Sequence, residues 1–107
     1  MNHWTRATIL GSIAIFVGAT ASAHTSGADS YRAKCQMCHG ADGTGNTPAG
    51  KAMEAPSFKS PEAMKMTDTE LTAIISKGKG KMPAYAGKLT PSEIKEVVAY
   101  IRTLEHK

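Results

Sequence analysis

Apolar residues recur at helical spacing along three stretches of the chain, and no stretch shows convincing alternation at period two. The cleanest lies near the C-terminal end, where Ile94, Val97, Val98, Ile101 and Leu104 form one stripe of the kind a helix buries against a core. Thr90-Pro91-Ser92-Glu93 opens it as a capping box with proline at the first helical position. Thr67-Asp68-Thr69-Glu70 is another capping box, and its helix carries Leu71, Ile74 and Ile75 before Gly78 ends it. Between the two main boxes and the N-terminal part, Ser60-Pro61-Glu62 reads as an N-cap that starts a short helix through Met64. Further upstream, Ala28, Tyr31, Cys35 and Cys38 share a helical face over Gly27 to His39. Gly40 to Ala55 is rich in Gly, Ala and Thr and has no period, and so long an irregular segment in a compact domain is usually functional. Its Asp42-Gly43-Thr44-Gly45-Asn46 start lacks the array of carboxylates that a calcium loop needs. The pattern predicts an all-α domain of about three main helices, short helices and a long loop.

One apolar run stands apart from these amphipathic segments. Ala7 to Ala19 follows a short, weakly basic start and precedes Ala21-Ser22-Ala23, a small-residue site of the A-x-A kind. A spanning helix needs about 20 apolar residues, and this run is shorter and broken by Gly11, Ser12 and Gly18. Residues 1–23 are therefore expected to be a secretory signal peptide cleaved before His24, leaving one domain over 24–107 with no stable membrane insertion. Its removal takes only Arg6 from the 13 basic residues and none of the 9 acidic ones, so the mature formal charge is +3. Trp4 and Phe16 go too, and Tyr31, Phe58, Tyr85 and Tyr100 remain as the only aromatics. A domain this small has a limited apolar core and commonly needs a disulfide, metal or cofactor.

Cys35-Gln36-Met37-Cys38-His39 supplies what is missing, because C-x-x-C-H is the sequence at which haem c is covalently attached. Each thiol can add to a haem vinyl group, and the adjacent imidazole is held close enough to ligate the iron. A thiol-disulfide centre would need a thioredoxin-like βαβ setting, and a zinc site would need further ligands. No other cysteine exists, and His3, His24 and His106 lie at the extremities. A disulfide between Cys35 and Cys38 would close too short a loop to help much.

A second axial ligand has to come from elsewhere, and methionine is the usual partner of histidine in electron-transfer cytochromes. The mature chain offers Met37, Met53, Met64, Met66 and Met82. Met37 lies inside the attachment motif, and Met64 and Met66 border helices where filling a core gap is the expected duty. Met82 sits in the loop Gly78-Lys79-Gly80-Lys81-Met82-Pro83-Ala84-Tyr85, where the following proline restricts it to extended geometry. That loop can point the sulfur into a pocket.

Taken together these residues resemble the class I c-type cytochromes, and the resemblance covers roughly Gly27 to Leu104. Cys35, Cys38 and His39 match the family's attachment site, and Gly80-Lys81-Met82-Pro83 matches its axial-methionine loop. Gly27 and Tyr31, with Val97 and Tyr100, look like the residues through which the family's terminal helices cross. Pro56-Ser57-Phe58 resembles the family's proline whose carbonyl accepts from the ligand histidine, followed by an apolar residue against the haem; Pro48 is the alternative proline. The resemblance implies a cytochrome c fold wrapped around one covalent haem c, with His39 and Met82 on the iron and Pro56 and Phe58 beside it.

The function implied is that of a periplasmic carrier taking one electron at a time, without enzymatic bond chemistry. Expected partners are a quinol-oxidising complex or dehydrogenase as donor and an oxidase or reductase as acceptor, with no nucleic acid. Lys77, Lys79, Lys81 and Lys88 are expected to surround the exposed haem edge and steer an acidic partner, since three of them lie within a few residues of Met82. Two alternatives stay open: a cytochrome subunit of a larger redox complex, and a five-coordinate haem protein that senses a gas or reacts with peroxide.

Overall fold

The computed structural model describes residues 11–15, 18 and 25–107, and these contain six helices and no strand. The expected cleavage site at Ala21-Ser22-Ala23 and His24 lie outside the described residues. Among the described residues, no helix is long and apolar enough to cross a membrane.

Both capping boxes form as their sequences require. Helix α5 (Asp68–Lys77) starts where the Thr67 hydroxyl accepts from the Glu70 amide at 3.1 Å and the Glu70 carboxylate accepts from the Thr67 amide at 2.9 Å. Helix α6 (Pro91–Glu105) starts in the same way from Thr90 and Glu93, at 3.1 and 3.0 Å. Each box satisfies two amides that the helix geometry would otherwise leave unpaired. The α6 stripe Ile94, Val97, Val98, Ile101 and Leu104 is buried throughout.

Helix α1 (Gly27–Lys34) crosses α6 at the centre of the core. Gly27 permits the approach: a Cβ there would lie 2.3 Å from the Glu96 carbonyl oxygen. Tyr31 fills the crossing with its ring 5.0 Å from that of Tyr100, and its hydroxyl donates to the Gly40 carbonyl at 2.6 Å. One aromatic side chain thus fixes the helix crossing and the end of the attachment segment together.

Three expectations need correction. The helix expected from Gly27 to His39 breaks at Cys35, whose φ of −116° departs from helical values, and restarts as α2 (Gln36–His39). The segment expected to be irregular holds a further short helix, α3 (Pro48–Ala52), capped by the Thr47 hydroxyl at 2.8 Å from the Gly50 amide. Met64, expected to fill the core with Met66, lies at the side of α4 (Pro61–Lys65) and is 45% exposed, while Met66 does pack against the core.

Candidate functional site

Helix α2 carries the attachment motif, and α3 holds it in place. The Thr47 hydroxyl donates to the Met37 and Cys38 carbonyls at 2.7 and 3.0 Å, and a Cβ at Gly50 would lie 2.2 Å from the Cys38 oxygen. Both cysteines are free thiols, Cys35 buried in the core and Cys38 more open. Burial pushes the Cys35 thiol up to about 11, with a smaller contribution from neighbouring Cys38. His39 ends α2, and the Gly45 amide donates to its carbonyl at 2.7 Å.

Two adjoining cavities open beside this segment. The smaller, about 180 Å³, has Cys35, Cys38, Tyr85 and Pro83 in its wall. The larger, about 520 Å³, is walled by Pro56, Phe58, Leu71 and Ile74. His39, Met53, Lys81 and Met82 border both. Every residue expected from sequence to surround a cofactor, namely Cys35, Cys38, His39, Pro56, Phe58 and Met82, therefore lines one or both cavities. Their volumes are in the range of small-molecule and cofactor sites. Pro48 lines neither.

The imidazole of His39 is 8% exposed, and its Nδ1 is buried with no hydrogen-bond partner of proper geometry. Burial lowers its pKa, and the Pro56 carbonyl, close enough to act on the ring, opposes that shift. A neutral imidazole can offer one ring nitrogen to a metal while a carbonyl such as that of Pro56 orients the other. Phe58 stacks on the imidazole, with centroids 4.5 Å apart and planes 20° apart, and is held there by a 2.8 Å bond from its amide to the Gly43 carbonyl. It thus touches the histidine as well as the cavity.

Met82 faces these residues from the turn after α5. Lys79 and Met82 exchange backbone hydrogen bonds at 3.1 and 2.9 Å, which closes the turn around Gly80 and Lys81. The donor set fits a covalent haem: two free thiols for the vinyl groups, a neutral imidazole and a thioether, all bordering an apolar cavity.

The lysines divide. Lys79 and Lys81 border the larger cavity, whereas Lys77 ends α5 and Lys88 lies 5.4 Å over the Tyr85 ring, and neither lines a cavity. Lys34 borders the smaller cavity and was not expected. Met53, Tyr85 and Glu54, which pairs with Lys81 at 3.7 Å, were also missed as site residues. Tyr85 had a signal, an aromatic three positions beyond the loop methionine; Met53 and Glu54 had none.

Fold and site define a small haem-binding helical protein. The family model described as cytochrome c oxidase, cbb3-type, subunit III matches residues 22–101, and the chain belongs to this family of c-type cytochromes. It is similar to cytochrome c6 of Nostoc sp. (strain PCC 7120), 33% identical over 78% of this chain and 72% of that one. Cytochrome c6 of Picosynechococcus sp. (strain PCC 7002) is 29% identical over 88% of this chain and 85% of the relative. Among solved structures, the KustC0563 c-type cytochrome superposes with a TM-score of 0.68 at 32% identity, over 75% of this chain and 98% of that one. The c-type cytochrome XoxG from Methylobacterium extorquens AM1 gives 0.59 at 29% identity, over 76% of this chain and 49% of that one. The protein is an electron-transfer cytochrome of the class I type, with haem c and its iron as cofactor.

Proposed function

We propose that Cys35 and Cys38 would tether one haem, that His39 and Met82 would hold its iron, and that the protein shuttles single electrons between partners in the periplasm without enzymatic activity. The observation that carries this reading is the shared border: His39 and Met82 both line the two adjoining cavities that have the free cysteines on one side and Phe58 and Pro56 on the other. The bound haem supplies the one-electron chemistry by alternating between ferric and ferrous iron.

The chain's own residues set the conditions for that chemistry. His39 offers a neutral, buried nitrogen, and the Pro56 carbonyl raises its basicity. Met82 favours the reduced iron, as do apolar walls such as Leu71 and Ile74 that keep water from the cavity. Were His39 and Met82 both to hold the iron, they would leave no place on it for oxygen or peroxide. Lys79 and Lys81 at the cavity border, with Lys77 and Lys88 on the same loop region and Lys34 across from them, give this face a positive character suited to an acidic partner. The donor would be a quinol-oxidising complex or dehydrogenase and the acceptor an oxidase or reductase, reached after export and removal of residues 1–23.

The description of the matching family as an oxidase subunit supports a second arrangement, with the same chemistry inside a larger redox complex. Size-exclusion chromatography of the native protein separates the two. The chemistry itself is tested by mass spectrometry under denaturing conditions and by potentiometric titration. The expected results are a chain beginning at His24 plus one haem, and a one-electron Nernst curve. Haem that extracts into acidified butanone would refute covalent attachment.

A further inference from the structure

The turn that carries Met82 is bonded mainly to itself and to α5. Gly78 ends α5 with its amide on the Ile74 carbonyl at 2.7 Å, and Lys79 and Met82 close the turn. Gly80 at its tip has a φ of +56°, and a Cβ there would meet nothing within 4 Å. On the far side of the turn, the Tyr85 amide donates to the Ile75 carbonyl at 2.9 Å, so the loop leaves α5 and returns to it. Such a loop can swing as a unit unless something fastens it across the cavity.

Two side chains do so, and they differ in kind. The Tyr85 hydroxyl donates to the carbonyl of Lys34 at 2.9 Å, spanning 51 positions of sequence to reach the residue just before Cys35. The Tyr85 ring forms part of the smaller cavity wall beside Cys35, Cys38 and Met82, and the Lys88 ammonium covers it at 5.4 Å. Lys81, next to Met82, reaches Glu54 at 3.7 Å, but both side chains are largely exposed, at 55% and 81%. An exposed ion pair at that distance holds little against water and salt. A hydrogen bond from a half-buried phenol, backed by its ring in the cavity wall, is the firmer fastening.

We infer that Tyr85 is a positioning residue whose hydroxyl latches the Met82 loop to the attachment segment and sets how often Met82 leaves the iron. This rests on the ligation of iron by Met82 proposed above. The latch acts on a local opening and not on global unfolding, because the bond joins the loop to α1 without touching the α1 and α6 crossing.

Tyr85→Phe tests it, since the ring and its packing stay while the hydroxyl goes. An added ligand such as imidazole reaches ferric iron when Met82 is off, so its apparent affinity and association rate scale with the open fraction. Loss of one partly exposed hydrogen bond should raise both about two- to fivefold. Hydrogen exchange at the Tyr85 and Ala86 amides, which hold the return of the loop to α5, should accelerate by a similar factor. Glu54→Gln should change imidazole binding less than about twofold, and only at low salt. Tyr85→Phe with unchanged imidazole binding and unchanged loop exchange overturns the latch, even if denaturant midpoints fall, because the hydroxyl would then be merely structural. If the wild-type ferric protein shows no thioether-to-iron charge-transfer band, the ligation fails and the latch falls with it. If that band is present and only the Tyr85→Phe response is missing, the latch alone fails.

Discussion

The α1 and α6 crossing and the cavity face meet only at the end of α1, where Lys34 borders the smaller cavity, and they finish differently. At the crossing, Tyr31 and Val97 are fully buried, Leu104 is 1% exposed, and the Tyr31 hydroxyl has its acceptor. At the cavity, Met53 is 47% exposed, Ile74 is half-buried, and His39 and Met82 border both open volumes. Side chains fill the first region; the second borders two adjoining cavities walled largely by apolar side chains. Stability of the helix crossing and chemistry of the cavity should therefore separate under mutation.

The largest effect should come from removing the tether. Replacing both Cys35 and Cys38 with Ala should yield protein without haem and, for want of a core on the cavity side, a largely unfolded chain by circular dichroism. A well-folded haem-free variant would mean that the crossing suffices for the whole domain. Next is Leu104→Ala, which should cost about 2–5 kcal/mol in denaturant unfolding while leaving the haem spectrum unchanged. A changed spectrum would show that the two regions are not separable.

Tyr31→Phe should cost about 1–2 kcal/mol, because the buried Gly40 carbonyl loses its donor. It also carries a pH signature. Burial, first among its causes, holds the Tyr31 hydroxyl well above the ordinary tyrosine range. Above a pH of about 10 the unfolded chain gives up this proton while the folded one keeps it, so stability falls as pH rises. The contribution is complete below that pH. Unfolding curves of wild type and Tyr31→Phe should accordingly converge on the alkaline side, and a constant gap up to pH 11 would contradict this.

The smallest effect should lie on the surface of the cavity face. Lys79→Glu with Lys81→Glu should slow electron transfer to an acidic partner severalfold at low ionic strength, with the difference shrinking toward physiological salt. A rate insensitive to both salt and charge would leave these lysines as solubilising surface. Lys77→Glu and Lys88→Glu, off the cavity border, should matter less.

What was legible in the sequence was local. Capping boxes at Thr67 and Thr90 and the α6 stripe each depend on neighbours within a turn or two of helix, and these elements formed. The loop that brings Met82 to the cavity border was legible because a proline and two glycines mark it. Helix α3 was not, although Thr47-Pro48 carries the same N-cap and proline signature as Ser60-Pro61; it packs through Gly50 against the Cys38 carbonyl, and small-residue contacts leave no apolar period. The break at Cys35 is a backbone adjustment with no residue-type signature. Tyr85 reaches Lys34 across 51 positions, and only the fold brings them together. Met64 and Met66 look alike in sequence, but one faces out and the other in.

The ferric absorption spectrum of the Met82→Ala holoprotein tests the central claim most directly, with Met53→Leu and Met66→Leu as controls because both of those residues also line the larger cavity. Wild type and both controls should be low-spin and show the thioether-to-iron charge-transfer band, whereas Met82→Ala should lose the band, turn high-spin or water-ligated and fall in potential. A band that survives in Met82→Ala and disappears in Met53→Leu or Met66→Leu would contradict the assignment of the iron's second ligand.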